Sequence, residues 1–131
     1  MTNDDSGWRD GPLGDFVRRY IDRVVNQRDL TAVDDMVSSE YRGSGPEWAT
    51  DIDELREFYV DQMRNRPDWR IEVQGSVELG DSVVVRALAG GTVTVDGVSR
   101  RKNLEWLSHY RVLDRRITEI NILSIKPLAL D

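Results

Sequence analysis

At Pro67 the hydrophobic pattern of this 131-residue chain changes its period, and that change fixes the order of its layers. Before Pro67, apolar residues recur every three or four positions. After it they alternate. Period 3.6 places one stripe of side chains on a helix face, whereas period 2 places one row on a sheet face. The chain therefore reads as helices first and antiparallel strands second, which defines an α+β domain.

Phe16, Val17, Tyr20, Ile21, Val24 and Val25 form the first helical stripe, backed by Arg18, Arg19, Asp22 and Arg23. Asp29 is placed to cap a short second helix bearing Leu30, Val33, Met36 and Val37. Tyr41 to Trp48 contains Gly43, Gly45 and Pro46 and reads as a loop or a very short strand. Asp51 and Glu54 have capping-box spacing and open a third helix with Ile52, Leu55, Phe58, Tyr59 and Met63 on one side. Pro67 ends it.

Four strands follow. Trp69, Ile71, Val73, Val77 and Leu79 make one buried row, closed by a turn at Gly80-Asp81. Ser82 to Val95 is the next strand, with a bulge or bend expected at Gly90-Gly91. Asp96-Gly97 is a hairpin signal, Val98 to Leu113 the third long strand, and Ile117 to Ile125 the last. A six-stranded or near six-stranded, mostly antiparallel sheet is expected to curl around the first and third helices as a cone with an open mouth. Residues 1–14 read as a mobile leader, 15–126 as the domain and 127–131 as a tail.

Composition removes several functions. Cysteine is absent, which excludes disulfides and thiolate metal sites. His109 is the lone histidine, so no multi-histidine metal site can form, and no cofactor is expected. A net charge of −6 disfavours nucleic acid and anionic membranes as partners. No stretch is apolar enough for a membrane helix, and a cytoplasmic protein is expected. The surface is rich in Asp and carries only two lysines, Lys102 and Lys126, a bias shared by salt-loving hosts and GC-rich genomes.

Val17-Arg-Arg-Tyr-Ile-Asp22, Asp29-Leu30 and Arg56-Glu-Phe-Tyr59 are similar to segments of ketosteroid isomerases. Pro67-Asp68, Gly80-Asp-Ser-Val-Val-Val-Arg86 and His109-Tyr-Arg-Val112 resemble the SnoaL-like polyketide cyclases. Both belong to the NTF2-like superfamily, and the resemblance spans about residues 15 to 125. It implies the NTF2-like cone and a small hydrophobic ligand inside it. It matches Tyr20 to the phenol that hydrogen-bonds the isomerase oxyanion and Tyr59 to its supporting phenol; the helical stripes equally predict two core tyrosines with satisfied hydroxyls. The isomerase base falls near Gly45 and its protonated aspartate on Ser108, while the cyclase histidine and acid fall near Ser44 and Ser124. None of these residues performs the family chemistry. Glu47, beside Trp48, is the substitute acid within reach of the mouth.

Strand parity gives the rest of the lining. Trp106, Ser108 and Tyr110 share one face with Leu104 and Val112, and Ile120, Ile122 and Ser124 share the corresponding face of the last strand. The ligand-binding set is thus Tyr20, Phe58, Tyr59, Trp106, Ser108, Tyr110, Ile120 and Ile122, and the catalytic candidates are Tyr20, Tyr59 and Glu47. Glu105, His109 and Arg111 lie on the opposite face, which suits a homodimer interface. Three functions follow: a small-molecule-binding cone with cyclase-like or isomerase-like chemistry open, a non-catalytic dimerisation module, and an epoxide hydrolase. The last would need two inward aspartates beside Arg86 or Arg111, and the sequence offers no such pair.

Overall fold

The computed structural model describes residues 11–128. Residues 1–10 and 129–131, most of the expected leader and tail, lie outside the described residues. Helix α1 (Pro12–Ile21) begins within the stretch read as leader, because Pro12 sits at its first turn where a missing N–H costs nothing. It has no cap from its own Gly11; instead the Glu78 carboxylate, from the sheet, accepts the Gly14 N–H at 2.9 Å. An anion there also meets the positive end of the helix dipole.

α1 runs on as a π-helical turn, Asp22–Asn26, closed by the Gln27 N–H to the Asp22 carbonyl. The wider turn carries Asn26 to the sheet edge. Its amide both donates to and accepts from the backbone of Ile71, at 2.9 Å each way. Then come α2 (Thr31–Met36), β1 (Val37–Ser44), α3 (Ile52–Asn65), β2 (Arg70–Leu79), β3 (Ser82–Val95), β4 (Val98–Leu113) and β5 (Arg116–Pro127). Asp51 caps α3 by accepting the Glu54 N–H, but Glu54 reaches back to the Thr50 N–H rather than to residue 51.

The sheet has five strands in the order β1-β5-β4-β3-β2. All pairings are antiparallel except β1 with β5. β1 lies where a loop or a very short strand was expected from Tyr41 on, but it begins at Val37 and runs for eight residues. Its polar residues Ser38, Ser39, Glu40 and Arg42 give no strand pattern locally, and the pairing comes from β5 at the far end of the chain. α1 packs against β2 and β3, and α3 against β1, on the concave side.

Bulges set which residues reach that side, and they are not where the glycines suggested. Pairing of β3 with β4 passes through Gly90 and Gly91 without a shift. The bulge lies in β2, where Val73 pairs Ala87 and Gly75 pairs Arg86, leaving Gln74 extra. One extra residue exchanges the faces of everything beyond it. Ile71 and Val73 point inward as expected, but Val77 and Leu79 point outward, 43% and 84% exposed. Ser76, fully buried, and Glu78 take their inward places, which is how Glu78 comes to cap α1. β5 carries two further irregularities, with Thr118 and Leu123 as the unpaired residues. The second turns Ser124 out to pair Leu107 and brings Ile125 opposite Trp106. Ser124 therefore does not join Ile120 and Ile122 on the inner face.

Gly91 has a different task. A Cβ there would lie 2.8 Å from the Trp69 ring, so glycine lets Trp69 press against β3. Beyond this point β3 and β4 outrun their neighbours. The pairs from Thr92↔Arg101 to Val95↔Val98 form a two-stranded ribbon with neither β2 nor β5 beside it. Asp96 and Gly97, both with positive φ, turn its tip. Asp68 fastens its root by accepting the Thr92 N–H and hydroxyl.

Candidate functional site

A cleft opens between the first helix, α3 and the inner face of the sheet. Ile21, Val24, Val25 and Arg28 enter it from α1 and the residues after it, with i, i+3, i+4, i+7 spacing. Phe58, Tyr59, Gln62, Met63 and Arg66 enter from one stripe of α3 and its C-cap. Trp69, Ile71, Trp106 and Tyr110 form the floor, and Trp48 comes from the β1–α3 loop.

The aromatic rings nearly close it. Trp48 meets Phe58 edge-on at 4.8 Å and Trp106 at 6.5 Å. Trp48 is held by its indole N–H, which donates to the Tyr41 hydroxyl at 2.8 Å; that hydroxyl donates to the Ala49 carbonyl. Atom-free space in the cleft totals about 490 Å³ including solvent at the mouth, but room for the centres of water molecules is only about 30 Å³. The smaller figure decides what fits without movement, and it corresponds to a water or two rather than a ring system.

The polar groups are few. Among the described residues, three buried side-chain atoms have no hydrogen-bond partner: Gln62 Oε1, Trp69 Nε1 and Trp106 Nε1. All three residues line this cleft. Arg66 lies over the Trp69 ring, 5.2 Å from its centroid. Among the described residues the lining holds no carboxylate and no imidazole.

The Tyr20 and Tyr59 hydroxyls lie 2.8 Å apart. Burial pushes both phenols well above their ordinary pKa. Tyr59 lines the cleft, but Tyr20 sits behind it, fully buried. Burial raises Tyr110 to about 12, and its hydroxyl is 3.5 Å from that of Ser108. These phenols are hydrogen-bond donors at neutral pH, not bases.

Of the residues named from sequence, Phe58, Tyr59, Trp106 and Tyr110 line the cleft. Tyr20, Ser108, Ile120 and Ile122 are buried on the same inner side but packed behind it. Glu47 is exposed, with φ of 53°, and does not join the lining. At Gly45, φ is 124° and a Cβ would lie 2.7 Å from the Ile122 side chain. Sequence reasoning missed Trp48, Gln62, Trp69, Arg28 and Arg66 as lining. Continuing the α3 stripe from Tyr59 in steps of three and four would have reached Gln62 and Arg66, beside the Met63 already read on that side.

His109 lies on the convex face in a polar chain. Asn121 Nδ2 donates to its Nδ1 at 3.0 Å, its Nε2 is 3.0 Å from Ser82 Oγ, and Ser44 Oγ donates to Asn121 Oδ1. No group of three or more His, Asp or Glu side chains among the described residues could hold a metal ion. No helix among them is long and apolar enough to cross a membrane.

The sequence model of the SnoaL-like domain matches residues 17–120. A SnoaL-like polyketide cyclase from Agrobacterium tumefaciens superposes with a TM-score of 0.73 at 16% identity, covering 89% of this chain and 93% of that one. An uncharacterized cystatin-fold protein from Novosphingobium aromaticivorans also gives 0.73, at 10% identity, covering 88% of this chain and all of its own. At such identities the likeness concerns the fold. No curated protein matches the chain in sequence.

Proposed function

The chain belongs to the SnoaL-like domain family, and from that premise we propose that it binds a small, largely apolar molecule with a few polar atoms in the aromatic cleft. The observation that carries this reading is the gathering of Gln62 Oε1, Trp69 Nε1 and Trp106 Nε1, each buried without a partner, in one lining. A buried polar atom left unsatisfied costs about 1–3 kcal/mol. A ligand offering an acceptor to the indoles and a donor to the amide offsets that cost. Entry requires Trp48 and Phe58 to swing aside, since the rings now fill the space.

The same lining supports binding rather than proton abstraction. Its described residues include no carboxylate or imidazole, and Gly45, where the resemblance puts the base, is packed too tightly on Ile122 for a side chain without a shift. Ring closure or isomerisation by an acid–base pair therefore has no group to perform it there.

2-Naphthamide is a suitable probe, since its carbonyl suits the two indole donors and its NH₂ suits Gln62. Calorimetric titration is expected to show one saturable site. Trp106→Phe, which keeps an aromatic ring but removes the N–H and part of the indole's volume, should weaken it by at least about 0.5–1.5 kcal/mol. Absence of saturable binding up to millimolar probe would remove this reading.

A second reading rests on a separate observation. We propose that the convex sheet face pairs with a second copy, because the bulge in β2 leaves Val77 and Leu79, and the one in β5 leaves Leu123, exposed there beside the His109 chain. Two-fold pairing would cover the same patch on both copies. Sedimentation is expected to give a dimer at micromolar concentration that Leu79→Asp converts to monomer. A wild-type monomer at millimolar concentration rejects it.

A further inference from the structure

We infer that the cleft selects an anion: an apolar ring compound carrying a carboxylate, held by Arg28 and Arg66. The inference rests on the binding reading above and adds the ligand's charge to it.

Consider how this chain treats its half-buried arginines. Arg23 holds Asp29 and Asp35, Arg56 holds Asp34, and Arg86 holds Glu105, while Arg18 donates to the Val73 carbonyl. Arg28 and Arg66 are equally half-buried, yet neither meets a carboxylate among the described residues. Arg28 Nη1 donates to the carbonyls of Val25 and Asn26, and Arg66 rests on the Trp69 ring. Both line the cleft.

The overall composition makes this notable. With 24 acidic residues and a net charge of −6, a surface lined at random would include acids. Among the described residues, the cleft lining contains two guanidinium groups and no acid. Partly removing a cation from water without a counter-ion is unfavourable, and an anion placed beside it recovers the loss. The planar guanidinium fork also matches a carboxylate with two parallel hydrogen bonds. The buried indole N–H groups of Trp69 and Trp106 add donors, and the Gln62 amide can turn to present its NH₂. Donors and positive charge thus converge on a cleft whose remaining wall is aliphatic and aromatic.

The test compares 2-naphthoate with the isosteric neutral 2-naphthamide by calorimetry on the whole chain. The naphthoate is expected to bind about tenfold more tightly at low salt, as one charge-assisted pair allows. Arg28→Gln and Arg66→Gln should each lower naphthoate affinity several-fold and the amide's far less, with circular dichroism checking that each variant is folded. Added salt should weaken the naphthoate alone. If the amide binds as tightly as the naphthoate, or if neither substitution separates them, the anion inference fails and the binding reading stands. If neither probe binds, the binding reading itself falls and takes the inference with it.

Discussion

Above pH 10 the protein is expected to unfold over a narrow range, with all four of its tyrosines ionising in the same transition. Tyr20, Tyr41, Tyr59 and Tyr110 are the chain's only phenols, and each is at most 5% exposed. Burial raises the pKa of every one above the ordinary 10. The sign follows from proton counting. Below pH 10 folded and unfolded chains both keep their phenolic protons, and this contribution to stability is fully present. Above it the unfolded chain releases protons that the native chain retains, so stability falls as pH rises toward the native values, which for Tyr110 is about 12. Each such phenol removes about 1.4 kcal/mol per pH unit, and four together roughly 5, comparable with the whole stability of a small domain. Absorbance at 295 nm and circular dichroism should therefore change together. A tyrosinate signal appearing near pH 10 while the dichroism stays native would show that at least one of these phenols is accessible.

Gly43→Ala should be among the most damaging single substitutions, costing about 3 kcal/mol or more. Gly43 lies in β1 opposite Ile120, and its N–H donates to the Thr50 carbonyl. A Cβ at this position would stand 2.1 Å from the Ala49 carbonyl and 2.2 Å from the Tyr41 hydroxyl. Neither can retreat freely. The phenol is fixed between the Trp48 indole and that same carbonyl, and the carbonyl belongs to the backbone returning toward α3. The methyl must therefore push the loop off the strand, and the wall that Trp48 contributes to the cleft moves with it. Urea unfolding followed by tryptophan fluorescence measures the loss. Gly97→Ala is the control: its φ of 78° is unfavourable for alanine but nothing lies within 4 Å, so about 1 kcal/mol is expected. Equal costs at the two positions would show that crowding at residue 43 is relieved in some other way.

Much of the architecture was readable because its signals are local. The turns at Gly80-Asp81 and Asp96-Gly97 placed β3 and β4, and the Asp51 cap placed α3. The bulges were not readable, since Gln74, Thr118 and Leu123 carry no chemistry that marks a residue as unpaired. Only the neighbouring strand's register does that. The consequence was a wrong face for Val77, Leu79 and Ser124, and a cap for α1 that no local pattern reveals. β1, expected as no more than a loop or a very short strand, was placed too late and too short for the same reason, its partner being far along the chain. At the site, the α3 stripe gave Phe58 and Tyr59. Trp48 came from a loop bounded by positive-φ residues at Gly45 and Glu47, where no periodicity applies. That Arg28 and Arg66 meet no carboxylate among the described residues is a matter of where the acids lie, and only three-dimensional placement shows it.

The unequal lengths of the strands give one hairpin two clocks. From Val83 to Ala89, β3 lies between β2 and β4, so releasing an amide to solvent means opening the sheet. From Thr92 to Val95 the same two strands stand alone, and an isolated two-stranded ribbon is marginal in water. Amide deuteration should therefore be graded along a single pair of strands. The Thr94 and Ser99 region should exchange orders of magnitude faster than Val85 and its neighbours, whose exchange waits on near-global unfolding. The boundary should fall at Thr92, whose N–H is anchored on Asp68. The hairpin thus frays from its tip while its root keeps time with the core.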